Sequence, residues 1–157
     1  MASGIPDMKI STEVLIPASL SNVWSALIDF PRYRSWHPIV EIKGPASEGA
    51  EVEYFYRSNA DAPRGMSMTA KIITLQPTRE LCMEFGVRGF AVIEERYVLL
   101  REGTQVRVIH SANVRGILPR LAGGLFRKRL TSKFQITLDW LARHLTAKQT
   151  PKSGRKA

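Results

Sequence analysis

The chain has 157 residues, 44% of them hydrophobic, enough for one domain with a proper core. Its single cysteine, Cys82, excludes an intramolecular disulfide, and no apolar run approaches the roughly eighteen residues that span a bilayer. The net charge of +9 is lopsided: from Arg115 onward eleven Lys and Arg face one acid, Asp139, while residues 1–114 carry twelve basic and thirteen acidic side chains.

The opening MASGIPDMKI has neither the charged start nor the apolar run of a signal peptide, so a cytoplasmic protein is expected. Residues 1–8 read as a lead-in. From Lys9 to Ile16 the chain alternates, with Ile10, Thr12, Val14 and Ile16 on one side, as a half-buried strand does. Pro17 ends it. Ser19 and Ser21 are both suited to cap a helix carrying Val23, Trp24, Leu27 and Ile28 at helical spacing. Asp29-Phe30-Pro31 interrupts that helix. Pro31 suits the first turn of a second short one, which His37-Pro38 stops.

Strands follow. Ile39–Lys43, Glu51–Arg57, Met66–Leu75, Glu80–Phe85, Ala91–Leu100 and Thr104–Val114 are separated by Gly44-Pro45, the polar run 58–65, Gln76-Pro77-Thr78 and Arg101-Glu102-Gly103, the last read as a tight hairpin. From Leu118 to Lys148 the spacing predicts one long helix. Leu118, Ala122, Phe126, Leu130, Phe134, Leu138, Leu141 and Leu145 form a stripe along it. At a rise of about 1.5 Å per residue it is a rod of about 45 Å. Gly123-Gly124 lies inside it, where each glycine costs about 1 kcal/mol relative to alanine, and a kink or a flexible first turn is expected there. Residues 149–157 are basic, offer nothing to bury and are read as a disordered tail, leaving 9–148 as one domain.

One strand, two short helices, about six more strands and one long helix make an α+β domain. With only one long helix to cover a sheet of about seven strands, an apolar hollow between sheet and helix is expected.

Three stretches resemble a known superfamily. Ile16-Pro17-Ala18-Ser19 with Val23-Trp24 and the run Asp29-Phe30-Pro31-Arg32-Tyr33-Arg34-Ser35-Trp36-His37-Pro38 form the first. The second is Pro77-Thr78-Arg79-Glu80-Leu81. The third is Gly103-Thr104-Gln105-Val106, running on to His110-Ser111 and Gly116. In this order they are similar to the START-like, Bet v 1-like (SRPBCC) superfamily, in particular its bacterial polyketide cyclase/dehydrase and lipid-transport branch. The resemblance covers roughly residues 9–147. It implies a helix-grip fold, a curved antiparallel sheet around the C-terminal helix, with a cavity for an apolar small molecule. Relatives often carry a glutamate and an aromatic just after the His-Ser pair. Here those places hold Ala112 and Val114, implying a more apolar cavity.

Within that frame the expected cavity residues are Trp36, Tyr54, Tyr56, Met68, Met83, Phe85, Tyr97, His110, Phe126 and Leu130, methionines suiting variable ligand shapes. His110 shares strand parity with Val106, Val108, Ala112 and Val114, so it faces inward and is the best acid–base candidate. Glu95 and Arg96 are adjacent, so one of them faces in, and the sequence leaves open which. Cys82, between Leu81 and Met83, reads as packing. His37, His110 and His144 have no metal-ligand spacing, and no glycine-rich phosphate loop with its lysine occurs, so no metal or cofactor is expected.

The expected function is binding of a hydrophobic or amphipathic small molecule such as a lipid, isoprenoid or polyketide-like compound. Two alternatives stay open: a cyclase or dehydratase working in the same cavity with His110 and a tyrosine, and an interaction module docking the basic helix on an anionic membrane or RNA. RNA is disfavoured because Phe126, Phe134 and Trp140 read as buried rather than free to stack.

Overall fold

The computed structural model of the chain describes residues 7–149. The lead-in up to residue 6 and the tail from residue 150 lie outside the described residues. Strand β1 (Met8–Ile16) leads into α1 (Leu20–Ile28) and a 3-10 turn, Phe30–Ser35. Six strands follow: β2 (Val40–Lys43), β3 (Glu51–Arg57), β4 (Gly65–Gln76), β5 (Glu80–Val87), β6 (Ala91–Glu102) and β7 (Gln105–Arg115). Helix α2 (Leu118–Gln149) closes the order.

The strands form one antiparallel sheet in the order β1-β7-β6-β5-β4-β3-β2. From β2 to β7 each strand pairs with its neighbour in sequence, and β1 returns to lie beside β7. Alternation fixes the two faces. Ile10, Val52, Tyr54, Ala70, Ile72, Leu81, Met83, Tyr97, Leu99, Val106 and Val108 are buried on the inner one. The outer face carries the ion pairs, among them Arg96 with Glu80 and Glu94, and Arg107 with Glu13 and Glu102. Cys82 is buried beneath that charged layer, and burial pushes its thiol up to about 12, so it is an inert packing residue.

Local chemistry explains the ends of the elements. Ser19 caps α1, its hydroxyl accepting from the Asn22 amide at 3.1 Å. The second short helix is a 3-10 turn with Pro31 in its first turn. The β6–β7 hairpin is closed by Gly103-Thr104, one step later than the sequence suggests, because Glu102 pairs with Gln105. That register puts Gly103 at the first loop position with φ 59°, a conformation glycine adopts without penalty.

Helix α2 runs the length of the inner face, its backbone against β1 and β7. Its stripe meets two clusters. Leu138, Leu141 and Leu145 join the main core with α1, the 3-10 turn and the sheet. Phe134 joins a smaller cluster with Met8, Ile10, Ala91, Ala112 and Val114, against which Ile93, Leu118, Phe126 and Leu130 are partly buried. The expected kink is present. Gly123 leaves the helical region with φ 55° and ψ −147°, so Leu118–Ala122 does not share the axis of the remainder. One expectation fails: Trp140 is 45% exposed, because it lies off the stripe, where it edges a surface pocket with Trp36 and Ala60 and has the Arg143 guanidinium over its ring at 5.8 Å.

Candidate functional site

The centre of the inner face holds a polar cluster that an apolar core of this size does not need. Strand β6 places Glu95 and Tyr97 on the inner face, and β7 places His110 opposite Tyr97. Of Glu95 and Arg96, Glu95 therefore faces in, and it is 4% exposed. Its carboxylate has two partners. Tyr54 donates its hydroxyl to Oε2 at 2.9 Å, and His110 Nε2 lies 3.1 Å from Oε1. An ionised carboxylate only accepts, so the proton between them belongs to Nε2, and Nδ1 is left as the second ring nitrogen.

The imidazole is held flat between two rings, with Tyr97 at 4.1 Å on one side and Phe134 of α2 at 3.7 Å on the other, nearly parallel to both. Tyr54 stacks in turn on Phe85 at 4.5 Å. Stacked pairs of this kind contribute about 1 kcal/mol each beyond burial, so the ring orientation is well determined. Two polar atoms of the cluster have no hydrogen-bond partner among the described residues: His110 Nδ1 and the Tyr97 hydroxyl. A buried group left this way costs about 1–3 kcal/mol, which the fold must offset elsewhere.

The electrostatics follow from burial. Removal from water, reinforced by the negative charge of Glu95, raises the Tyr54 and Tyr97 phenols well above their ordinary value, so both are neutral hydrogen-bond donors. His37, at the end of the 3-10 turn, is pushed down to about 3, first by burial and then by the neighbouring His110. Its Nδ1 accepts the Val40 amide at 3.1 Å and the Ile39 amide at 3.3 Å, which requires that nitrogen to be unprotonated. The cluster can thus donate and accept hydrogen bonds and can pass a proton at His110. It offers no activated nucleophile. Among the described residues no three His, Cys, Asp or Glu side chains are grouped to hold a metal ion.

The expected site residues fall into three sets. Tyr54, Phe85, Tyr97 and His110 come together around Glu95, with Met83 buried beside Glu95 across the β5–β6 pair. Tyr56, Met68, Phe126 and Leu130 are only half-buried, and Lys133 of α2 reaches across to the Tyr56 hydroxyl and ring. Trp36 belongs elsewhere. It packs on Tyr33 and His37, and it lines a surface pocket of about 230 Å³ between α1 and the end of α2 together with Ser25, Asp29 and Leu145.

Sequence reasoning did not assign Glu95, Phe134 or Lys133 to the site. For Glu95 a signal existed, since it shares strand parity with Tyr97. The other parity of β6, Val92, Val98 and Leu100, is equally apolar and cancelled it.

A curved seven-stranded antiparallel sheet gripping a long C-terminal helix is the helix-grip fold of the START/Bet v 1-like superfamily. Within it, residues 7–146 match the family described as polyketide cyclase/dehydrase and lipid transport, and the chain belongs to that family. Solved structures agree on the fold. A START superfamily protein from Mycobacterium smegmatis superposes with a TM-score of 0.74 at 14% identity, over 90% of this chain and 99% of that one. CalU16 from Micromonospora echinospora gives 0.66 at 19% identity, over 90% and 78%. DynU16, a protein of the dynemicin biosynthetic locus, gives 0.72 at 18% identity, over 91% of this chain and 49% of that one. No curated protein sequence matches the chain.

Proposed function

We propose that the protein binds a hydrophobic or amphipathic small molecule, a lipid, isoprenoid or polyketide-like compound, between the sheet and the N-terminal half of α2. The observation that carries this reading is the pair of unpartnered buried atoms, His110 Nδ1 and the Tyr97 hydroxyl, beside a wall of half-buried apolar side chains. Met68, Phe85, Ile93, Phe126 and Leu130 would supply affinity through apolar area, at roughly 25 cal/mol per Å². His110 and Tyr97 would hold one hydroxyl or carbonyl oxygen and so fix orientation. The family's description and the DynU16 locus are consistent with such ligands.

Native mass spectrometry of the purified protein, followed by denaturation and analysis of what is released, tests the reading. A near-stoichiometric apolar compound is expected. Protein that carries none and takes up neither lipids nor fluorescent apolar probes would sink it.

A second reading, a cyclase or dehydratase, draws on the same imidazole. His110 is oriented by Glu95 as a general acid–base would be, with Nδ1 free to exchange a proton. If it is correct, the released compound returns with altered mass after incubation with wild type and unaltered after incubation with His110→Gln.

A further inference from the structure

We propose that the β5–β6 loop and the first turns of α2 form a docking surface for an anionic lipid bilayer. This goes beyond the ligand reading and holds whether or not the inner face takes up a small molecule. The two segments are one surface. The Ile117 amide donates to the Gly89 carbonyl at 3.2 Å and the Leu118 amide to the Phe90 carbonyl at 2.9 Å. At Gly116 the contact is so close that a Cβ would lie 2.5 Å from the Phe90 oxygen.

Four large apolar side chains stand out from this junction: Val87 at 65% exposure, Phe90 at 47%, Ile117 at 46% and Leu121 at 75%. Leu125, just past the Gly123 kink, follows at 59%. Scattered apolar residues on a surface need no explanation, but five on two hydrogen-bonded segments form a patch.

The charge around the patch selects the partner. Residues 85–93 and 115–138 contain no acid, and they carry Arg88, Arg115, Arg120, Arg127, Lys128 and Arg129, besides Lys133, which turns to Tyr56. Of the acids nearby, Glu84 pairs with Arg115, Asp7 accepts from Asn113, and Glu51 lies across a surface pocket from Arg88 and Arg115. Apolar side chains rimmed by arginine and lysine match the headgroup boundary of an anionic leaflet, where the apolar tips enter the acyl region and the cations stay among phosphates. A second copy would set the same cations against one another. RNA would leave the aliphatic Val87, Ile117, Leu121 and Leu125 with nothing to stack on. The glycine at 123, in a backbone conformation that other residues adopt only with strain, lets the segment Leu118–Ala122 turn away from the main axis, and Leu121 there is exposed.

The test is co-sedimentation of the full chain with vesicles of phosphatidylcholine alone and of phosphatidylcholine containing about 30% phosphatidylserine. Binding to the anionic vesicles should exceed binding to the neutral ones at least tenfold on the order-of-magnitude scale of several surface cations, and should fall steeply between about 0.1 and 0.5 M salt. Phe90→Ser with Leu121→Ser should weaken it by about tenfold or more, as should Lys128→Glu with Arg129→Glu. Circular dichroism should be unchanged in both, and Val87→Ser with Leu125→Ser is the replacement apolar pair if the first perturbs folding. No sedimentation with the anionic vesicles overturns the proposal. So does binding that neither apolar pair weakens, since charge alone would then explain it, as on RNA. A concentration-dependent dimer abolished by the apolar pair, without vesicle binding, overturns it in favour of a second copy.

Discussion

Leu138, Leu141 and Leu145, in the C-terminal half of α2, are sealed between the sheet, α1 and the 3-10 turn. Leu118, Phe126 and Leu130, in its N-terminal half, are half covered, and Leu121 and Leu125 face solvent. Leu121 and Leu125 lie off the stripe, but Leu118, Phe126 and Leu130 lie on it, so for these three periodicity cannot account for the contrast. What differs is the opposing surface. At the C-terminal end, Trp24, Leu27, Phe30 and Tyr33 fill the space beneath the helix. At the other end β1, β7, the inner edge of β6 and the β5–β6 loop lie opposite, and among the described residues no helix plays the part of α1. The His110 stack on Phe134 sits on the boundary between the two regimes, the sealed half and the half-covered one.

The sharpest way to break this comparison is to truncate one leucine in each half. Leu138→Ala should cost about 2–5 kcal/mol, since the side chain is fully buried and leaves a cavity. Leu121→Ala should stay within about 0.5 kcal/mol. Urea denaturation of both variants decides it, and equal losses would mean the N-terminal half is as tightly held as the C-terminal one.

A second probe addresses the sealed end through pH. His37 binds a proton readily when unfolded, near 6.5, and only near 3 when folded, so the unfolded state holds more protons throughout that window. Its contribution is fully present above about pH 6.5 and lost as the pH falls towards 3, at about 1.4 kcal/mol per pH unit. Between pH 6.5 and 5 wild type should lose about 2 kcal/mol from this group. His37→Asn, which keeps an acceptor for the Val40 amide but does not titrate, should lose correspondingly less over the same interval. The urea midpoints of the two proteins at each pH measure the difference.

A more modest effect is expected at the kink in the half-covered part. Gly123→Ala meets no neighbour within 4 Å, yet its backbone conformation is one that alanine resists, so a loss of about 1–2 kcal/mol is expected. A gain in thermal stability instead would show that the segment Leu118–Ala122 can rejoin the helix axis without cost.

Periodicity and turn chemistry made most of the fold legible. The seven strands, a serine cap at position 19 or 21, the stripe of α2 and a break at Gly123-Gly124 are all local signals, and the structure settles the cap on Ser19 and the break on Gly123. The candidate site was half legible. The inward side of His110 follows from its apolar neighbours on β7, but its partner is set by pairing with a different strand. The register that brings Glu95 within reach of both His110 and Tyr54 is a property of three strands together. Trp140 was misread as buried for a related reason: an aromatic off the stripe has no local cue to tell packing from cover by a neighbouring arginine. Depth of burial along α2 was equally hidden, because it depends on where α1 and the 3-10 turn come to rest.

The strand order has a consequence for the chain as it is made. Every strand from β3 to β7 finds a partner in the strand made just before it, so the sheet can grow by successive hairpins. Strand β1 is the exception. It precedes the other six in the chain, and among the described residues it pairs with the last strand alone, with Thr12 bonded to His110 across 98 residues. Until β7 has left the ribosome, the first strand has no edge to join, and the face that α2 will cover cannot be completed.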